Sequence, residues 1–313
     1  MCACLLYFNL LFMRNIDVSG THTAIITPMR NSQVDTLALD NLIESQINWG
    51  VNSIVAVGTT WESPTLSPTE HLDVIRRTVD TVKWRCLVLW WTGSNSTEEA
   101  ISYTTEAEEA WVDGALIVAP YYNKPTQEWL YRHYREIARN TQLPIVLYSI
   151  PWRCGIEIQI DTVIRLARDC PNIIAIKEAW WSVDRVRNMR CALDRAWFNE
   201  FQILCWDDWL TVPFMSVWAS WVISVASNLI PRQVVQIVDD MRTWNLSRAT
   251  ETALRYNQLF NDLFIETNPV PAKTALEVMY PEIYTSEVRL PLCEMMESNR
   301  AKLLDTMRNV WLI

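Results

Sequence analysis

The sequence predicts an α/β fold, a TIM-type (β/α)8 barrel with a C-terminal helical appendage, on three observations. Short apolar runs rich in β-branched residues recur along the chain, and an amphipathic stretch follows each of them. Eight such units occupy about 230 residues, near the roughly 250 that a closed barrel takes. Runs that are apolar at nearly every position belong to strands buried on both faces, which implies a parallel sheet covered by helices.

In order, the strands read as residues 23–27 (TAIIT), 53–58 (SIVAVG), 86–89 (CLVL), 115–119 (ALIVA), 145–148 (IVLY), 173–177 (IIAIK), 201–204 (FQIL) and 222–225 (VISV). Helices are expected between them, for example over residues 35–48, 68–82, 97–110 and 127–139. No GxGxxG or P-loop follows any strand, which sets aside a doubly wound nucleotide-binding sheet. From residue 247 onward the pattern is helical. The expected organisation is an N-terminal extension over 1–19, a barrel over 20–246 and a helical region over 247–313.

Half of the 313 residues are hydrophobic, enough for a substantial core. A net charge of -9 argues against a nucleic-acid surface, and no apolar run approaches the roughly 18 residues of a membrane span. The eight cysteines are scattered, with no CxxC pair and no histidine at metal spacing, which reads as reduced thiols in the cytoplasm. The opening MCACLLYFNLLF is apolar but lacks a basic leader and a small-residue cleavage site. A start assigned upstream of Met13 is the favoured reading, and a signal peptide is the alternative.

The chain holds 17 Trp and 6 Gly, the reverse of ordinary usage. Trp61 in GTTWES, Trp111 in EEAWVDGA, Trp152 in IPWRCG and Trp206 in LCWDD all stand where turn chemistry asks for glycine. The tryptophans form no periodic stripe of the kind an aromatic binding face would show. The pattern is what results when a codon reassigned to glycine is translated as tryptophan.

Catalytic groups of such barrels sit at the carboxyl ends of strands. Reading those ends gives Thr59 and Thr60 after Gly58, then Tyr121 and Tyr122, Tyr148, Lys177, and Ile223. Lys177 closes an apolar strand, where a desolvated amine can attack a carbonyl. A lysine snorkelling from the barrel mouth, or paired with Glu178, fits the same position. Tyr148 is either a proton shuttle or a core tyrosine with a satisfied hydroxyl. The hydroxyls of Thr59 and Thr60 suit a carboxylate but also ordinary turn chemistry. Arg153, expected in a loop, is either a fork for a carboxylate or a solvated charge. His22, His71 and His133 show no HxxxH or HExxH pairing and read as structural; the acidic run 106–109 reads as a solvated helix face.

Together these segments resemble the dihydrodipicolinate synthase and N-acetylneuraminate lyase superfamily. The resemblance runs from about Gly20 to the C-terminus and is carried by TAIITPM, GTTWESPTLSPTEH, TGSNSTEEAI, GALIVAPYYNKPTQEWLYRHY, LPIVLYSIPWRCG, NIIAIKEA, WVISVASN and FIETNPVPAK. It implies that Lys177 forms a Schiff base with pyruvate. Tyr148, Thr59 and Tyr122 would form a proton relay, with Tyr122 reaching in from a neighbouring subunit of a homotetramer, a dimer of dimers. Thr59 and Thr60 would hold the pyruvate carboxylate, and Ile223 would line the site. Arg153 would bind the carboxylate of L-aspartate 4-semialdehyde.

The threonine pair, Arg153 and FIETNPVPAK favour the synthase branch, which feeds diaminopimelate and lysine biosynthesis. An aldolase of sialic or sugar acids and a non-catalytic barrel are the rival readings. The resemblance implies no metal or organic cofactor. Ser63, His71, Asn95, Glu99 and Tyr121 match positions that bind regulatory lysine at a dimer interface in some members.

Trp61, Trp91, Trp111, Trp129, Trp152, Trp181, Trp206, Trp209 and Trp221 stand where the family usually has glycine. Indoles at Trp61 and Trp152 would flank the pyruvate site, and Trp221 would crowd the eighth strand. Overpacking costs about 1–3 kcal/mol per core site, so several would rival a whole domain's stability of roughly 5–15 kcal/mol. Mass mapping of tryptic peptides from the native source is therefore expected to find residues 180 and 181 lighter by the indole side chain. Two genuine tryptophans there would end the glycine reading at those positions.

Overall fold

Eight parallel strands, β1 (Thr21–Ala24), β4 (Ser53–Ala56), β5 (Leu87–Trp91), β6 (Gly114–Val118), β7 (Ile145–Ser149), β8 (Ile173–Glu178), β9 (Gln202–Cys205) and β10 (Trp221–Ser224), close into a barrel in the order β1-β10-β9-β8-β7-β6-β5-β4. This computed structural model describes residues 16–58, 60 and 62–313. The apolar opening 1–12, the start at Met13, Thr59 and Trp61 lie outside the described residues. All eight strands fall within the predicted runs or overlap them. The described residues divide into two compact units, one within residues 19–88, 206–216 and 221–313, the other within residues 16–18, 89–205 and 217–220.

In the first unit β1 lies between β10 and β4, with Thr21 opposite Val222 and Thr23 opposite Ile54. Every residue of these three strands is buried, which is why the sequence shows no alternation there. β1 begins and ends earlier than predicted. Ile25 and Ile26 continue the apolar run beyond it, buried but outside the ladder, where the Asn228 side-chain oxygen accepts the Ile26 N–H at 3.1 Å.

Helix α1 (Thr36–Asn48) starts where the Asp35 carboxylate accepts the Ala38 N–H at 3.0 Å. Helix α2 (Pro68–Val82) begins in a reciprocal capping box of Ser67 and Glu70 with proline in its first turn. A short hairpin, β2 (Met29–Arg30) with β3 (Gln33–Val34), was not predicted. Its turn residues Asn31 and Ser32 both have positive φ, 54° and 61°, but without the glycine that usually marks such a turn.

In the second unit β5 to β9 are laid down side by side in chain order. Gly93, just past β5, has no substitute: a β-carbon there would lie 2.5 Å from the Val118 nitrogen. Helices α3 (Thr97–Glu109) and α4 (Gln127–Arg139) match their predicted spans to within a residue. The remaining main helices are α5 (Pro151–Cys154), α6 (Ile160–Asp169), α7 (Val183–Arg195) and α8 (Thr211–Met215), then α9 (Pro231–Arg242), α10 (Leu246–Asp262), α11 (Val270–Met279) and α12 (Glu297–Asn309). The last three carry the helical pattern expected beyond residue 247. Among the described residues no helix is long and apolar enough to cross a membrane.

Six of the tryptophans share one kind of backbone position, whereas Trp152 and Trp206 do not have a positive φ. Trp84, Trp111, Trp197, Trp218, Trp244 and Trp311 all have φ between 59° and 70°. Four of these sit just past helix ends in the paired hydrogen bonds of a Schellman motif: after α9, for instance, Trp244 N–H donates to Met241 O and Asn245 N–H to Asp240 O. Trp111, Trp197 and Trp311 repeat the pattern after α3, α7 and α12. After α1 the same place is held by Gly50, with φ of 81°. Trp197 and Trp311 are 87% and 84% exposed, so their indoles gain little packing to offset the left-handed backbone. Trp221, by contrast, is buried in β10 with its indole N–H unbonded and the Arg242 guanidinium 4.8 Å from the ring centroid.

Two outcomes are expected. Replacing Trp111, Trp197, Trp244 and Trp311 by glycine should raise the unfolding free energy by about 1 kcal/mol per site, read from the denaturant midpoint at constant m. An unmoved midpoint would show that the indoles repay the strain. His133, buried in α4 with Thr97 Oγ1 2.9 Å from its Nδ1, has its pKa pushed down to about 4 by burial. Its contribution should be complete above the unfolded pKa near 6.5 and fade as pH falls toward 4, at up to about 1.4 kcal/mol per pH unit. Denaturation series between those pH values should lose one histidine's share of the slope in His133→Phe, with the like contribution of His71 remaining.

Candidate active site

Strands β7 and β8 pair with Tyr148 opposite Lys177, so both side chains leave the sheet on the same face near the strands' carboxyl ends. Lys177 is 5% exposed and Tyr148 4%, and the lysine Nζ lies 4.5 Å from the centre of the phenol ring. A snorkelling lysine would be far more open. Pairing with Glu178 is also not what the structure shows: as the next residue on the strand, Glu178 points to the opposite face. There its carboxylate accepts from Arg185 Nε at 2.9 Å. Burial pushes the Glu178 pKa up to about 7, against the pull of Arg185.

Arg185 also donates to Ile158 O at 2.7 Å and pairs with Glu157 at 3.1 Å, which ties the segment after α5 to the end of the lysine strand. That segment follows Arg153, which is not in a loop as predicted. It lies in the single-turn helix α5, opened by Pro151 and closed by Gly155 at φ of 74°. Four residues are too few to show a helical period. Arg153 is exposed, with its guanidinium 4.4 Å from the centre of the Trp152 ring; Trp152 in turn stacks on Trp181 at 6.0 Å. Crowding on that side lowers the Arg153 pKa from its ordinary value, and the group stays charged.

Beyond β6, Tyr122 is 90% exposed and held at φ of 70°. Its neighbour Tyr121 is linked to Asn95 through Asn123, whose N–H donates to Tyr121 O and whose side chain donates to Asn95 O, both at 2.8 Å. Glu99, in the first turn of α3, accepts from the Ser94 hydroxyl at 2.7 Å. These three predicted lysine-binding positions therefore gather on neighbouring segments of one unit.

The other unit holds the remaining candidates. Ser63 and His71 meet at 3.2 Å, with the His71 pKa pushed down to about 4 by burial. Ile223 lies in β10 opposite His22 of β1 and is 1% exposed. Thr60 is buried, and its hydroxyl accepts from Asn268 Nδ2 at 2.8 Å. Two residues on, the Glu62 carboxylate is bonded to Lys273, with both side chains fully buried. Sequence reasoning did not single out Asn268, Lys273, Glu62 or Arg185. For Asn268 and Lys273 the available signal was FIETNPVPAK, which closes the apolar run 269–272 with an amide on one side and a lysine on the other. Among the described residues no group of three His, Cys, Asp or Glu is gathered to hold a metal ion.

The family model for the dihydrodipicolinate synthetase family matches residues 17–310. The 4-hydroxy-tetrahydrodipicolinate synthase of Hydrogenobaculum sp. (strain Y04AAS1) is 43% identical over 296 residues, covering 95% of this chain and 100% of that one. Among solved structures, the 4-hydroxy-tetrahydrodipicolinate synthase of Methylacidiphilum fumariolicum SolV superposes with a TM-score of 0.91 at 48% identity, covering 94% of this chain and 96% of that one. The chloride-inhibited dihydrodipicolinate synthase of Acinetobacter baumannii complexed with pyruvate superposes with a TM-score of 0.90 at 37% identity, covering 95% and 100%. With a buried lysine beside a tyrosine near the ends of two barrel strands, and a family model that matches residues 17–310, the chain belongs to the dihydrodipicolinate synthetase family.

Proposed function

We propose that this chain is a lyase that condenses pyruvate with L-aspartate 4-semialdehyde to 4-hydroxy-tetrahydrodipicolinate, in diaminopimelate and lysine biosynthesis. The observation that carries the reading is Lys177, buried at the end of β8 with its Nζ 4.5 Å from the Tyr148 ring centre. The chemistry needs an amine held away from bulk water. The lysine nitrogen attacks the pyruvate ketone, water leaves, and the resulting imine draws electrons from the adjacent methyl. Loss of a methyl proton gives an enamine, whose carbon adds to the aldehyde of the second substrate. The α-amino group that came with the semialdehyde then attacks the imine carbon and closes the ring, while the bond from that carbon to the Lys177 nitrogen breaks and the lysine leaves with the amine's proton.

Each step moves a proton, and the Tyr148 phenol, on the ring beside Lys177, is a candidate carrier. Thr59 and Tyr122 complete the relay in this reading. The 90% exposure of Tyr122 in the single chain supports its serving a neighbouring subunit, in a homotetramer built as a dimer of dimers. Thr59 and Thr60 hold the pyruvate carboxylate and the backbone at Ile223 lines the pocket. Arg153 takes the carboxylate of the aldehyde, supported by a charged fork standing on an aromatic ring rather than locked in an ion pair. No cofactor is required, because the imine is itself the electron sink. Ser63, His71, Asn95, Glu99 and Tyr121 form the lysine-responsive surface, and the enzyme is cytoplasmic.

Borohydride reduction in the presence of pyruvate should fix a pyruvate adduct on Lys177, block trypsin there and leave one peptide spanning residues 169–185. Folded protein that stays unmodified would point instead to a non-catalytic barrel. Arg153→Ala is expected to raise the KM for the aldehyde roughly 10- to 100-fold, the worth of a charged hydrogen bond, and leave pyruvate trapping intact. An unchanged aldehyde KM would reassign Arg153 to the solvent.

A further inference from the structure

The segment FIETNPVPAK has no part in the chemistry above, yet it holds some of the most buried polar groups of its unit. Lys273 is fully buried, donating to the Glu62 carboxylate and to Glu287 O at 2.6 Å. The other Glu62 oxygen accepts the Arg289 N–H at 3.2 Å. Arg289 continues inward contacts through its guanidinium, which donates to Thr65 O at 3.0 Å and to Glu70 at 2.6 and 2.8 Å. The loop after β4 is thereby bound at Glu62 and Thr65, and the first turn of α2 at Glu70. Glu62 itself sits in the left-handed region, φ 57° and ψ 33°, which a glutamate adopts only under constraint. A buried ion pair seldom outperforms a well-packed apolar pair in stability. A costly pair bound to a strained turn suggests a geometric task.

Thr60 defines that task. Asn268 Nδ2 has only hydrogens to give, and it gives one to the Thr60 hydroxyl oxygen at 2.8 Å. A hydroxyl that accepts in this way keeps its own hydrogen for a different partner. The amide thus sets Thr60 as a hydrogen-bond donor, the polarity an anionic oxygen requires. We propose that Asn268, Lys273 and Glu62 are positioning residues for pyruvate: the C-terminal segment holds the β4 loop in its left-handed turn and orients the Thr60 hydroxyl to donate to the substrate carboxylate. The proposal rests on the reading that Thr60 binds that carboxylate.

Three variants of the full chain test it, each measured for the KM of both substrates, kcat, borohydride trapping on Lys177 and melting temperature. Asn268→Ala removes the amide donor and is expected to raise the pyruvate KM about fivefold. Asn268→Asp substitutes an acceptor, which turns the Thr60 hydrogen away from the substrate, and should raise it further, by about 20-fold or more. The double variant Glu62→Gln with Lys273→Met removes both charges together, so it should fold while still raising the pyruvate KM. In all three, kcat and the aldehyde KM should stay within about twofold of the parent, the signature of lost ground-state binding. A pyruvate KM unchanged in folded variants, or Asn268→Asp no worse than Asn268→Ala, would overturn the proposal while leaving Lys177 chemistry standing. A parent chain that traps no pyruvate would take down the underlying reading as well.

Discussion

The pairing of β7 with β8 is the constraint on which the rest of the molecule depends. A register shift between Ile145 and Val146 brings Tyr148 level with Lys177; carried on from Ile145 opposite Ile173 without it, the pairing would set Tyr148 against Ile176, whose side chain leaves the other face of the sheet. The register is kept by burial on both faces. Ile145, Val146 and Leu147 on one strand and Ala175 and Ile176 on the other are within 1% of complete burial. The apolar character that makes the strand legible is therefore also what aims the lysine.

Charge inside the protein is used to hold loops rather than to add stability. In one unit Arg185 joins Glu178 to Glu157 and Ile158, so the end of the lysine strand and the segment following Arg153 share an anchor. In the other, Lys273 and Arg289 converge on the loop after β4. Surface ion pairs such as Arg132 with Glu128 on α4 are well exposed and worth little. The buried groups differ because each satisfies backbone carbonyls as well as a carboxylate.

Much of this architecture could be read from the sequence. The eight strands were legible because each is buried on both faces, and α2 was legible to the residue because Ser67, Pro68 and Glu70 spell out a capping box. Strand ends drifted where apolar residues run past the ladder, as at Ile25 and Ile26. The β2–β3 turn was missed because Asn31 and Ser32 lack a glycine cue, and α5 because four residues carry no period. Lys177 and Tyr148 stood out as polar endings of apolar runs. Asn268 and Lys273 did not, because their partners Thr60 and Glu62 lie 208 and 211 residues away and no local spacing encodes such a contact.

The tryptophans at helix ends bear on how this protein would look to a spectroscopist. Intrinsic fluorescence of the chain as written would come largely from indoles in water, since Trp84, Trp197, Trp244 and Trp311 are each at least 70% exposed. Their emission would barely change on unfolding, so the usual optical probe of the core would report on the rim instead. The same rings add scattered apolar surface of the kind that promotes self-association. With glycine at those positions the chain would be optically quieter and better behaved in solution, and the buried Trp90 would report on the core with less interference.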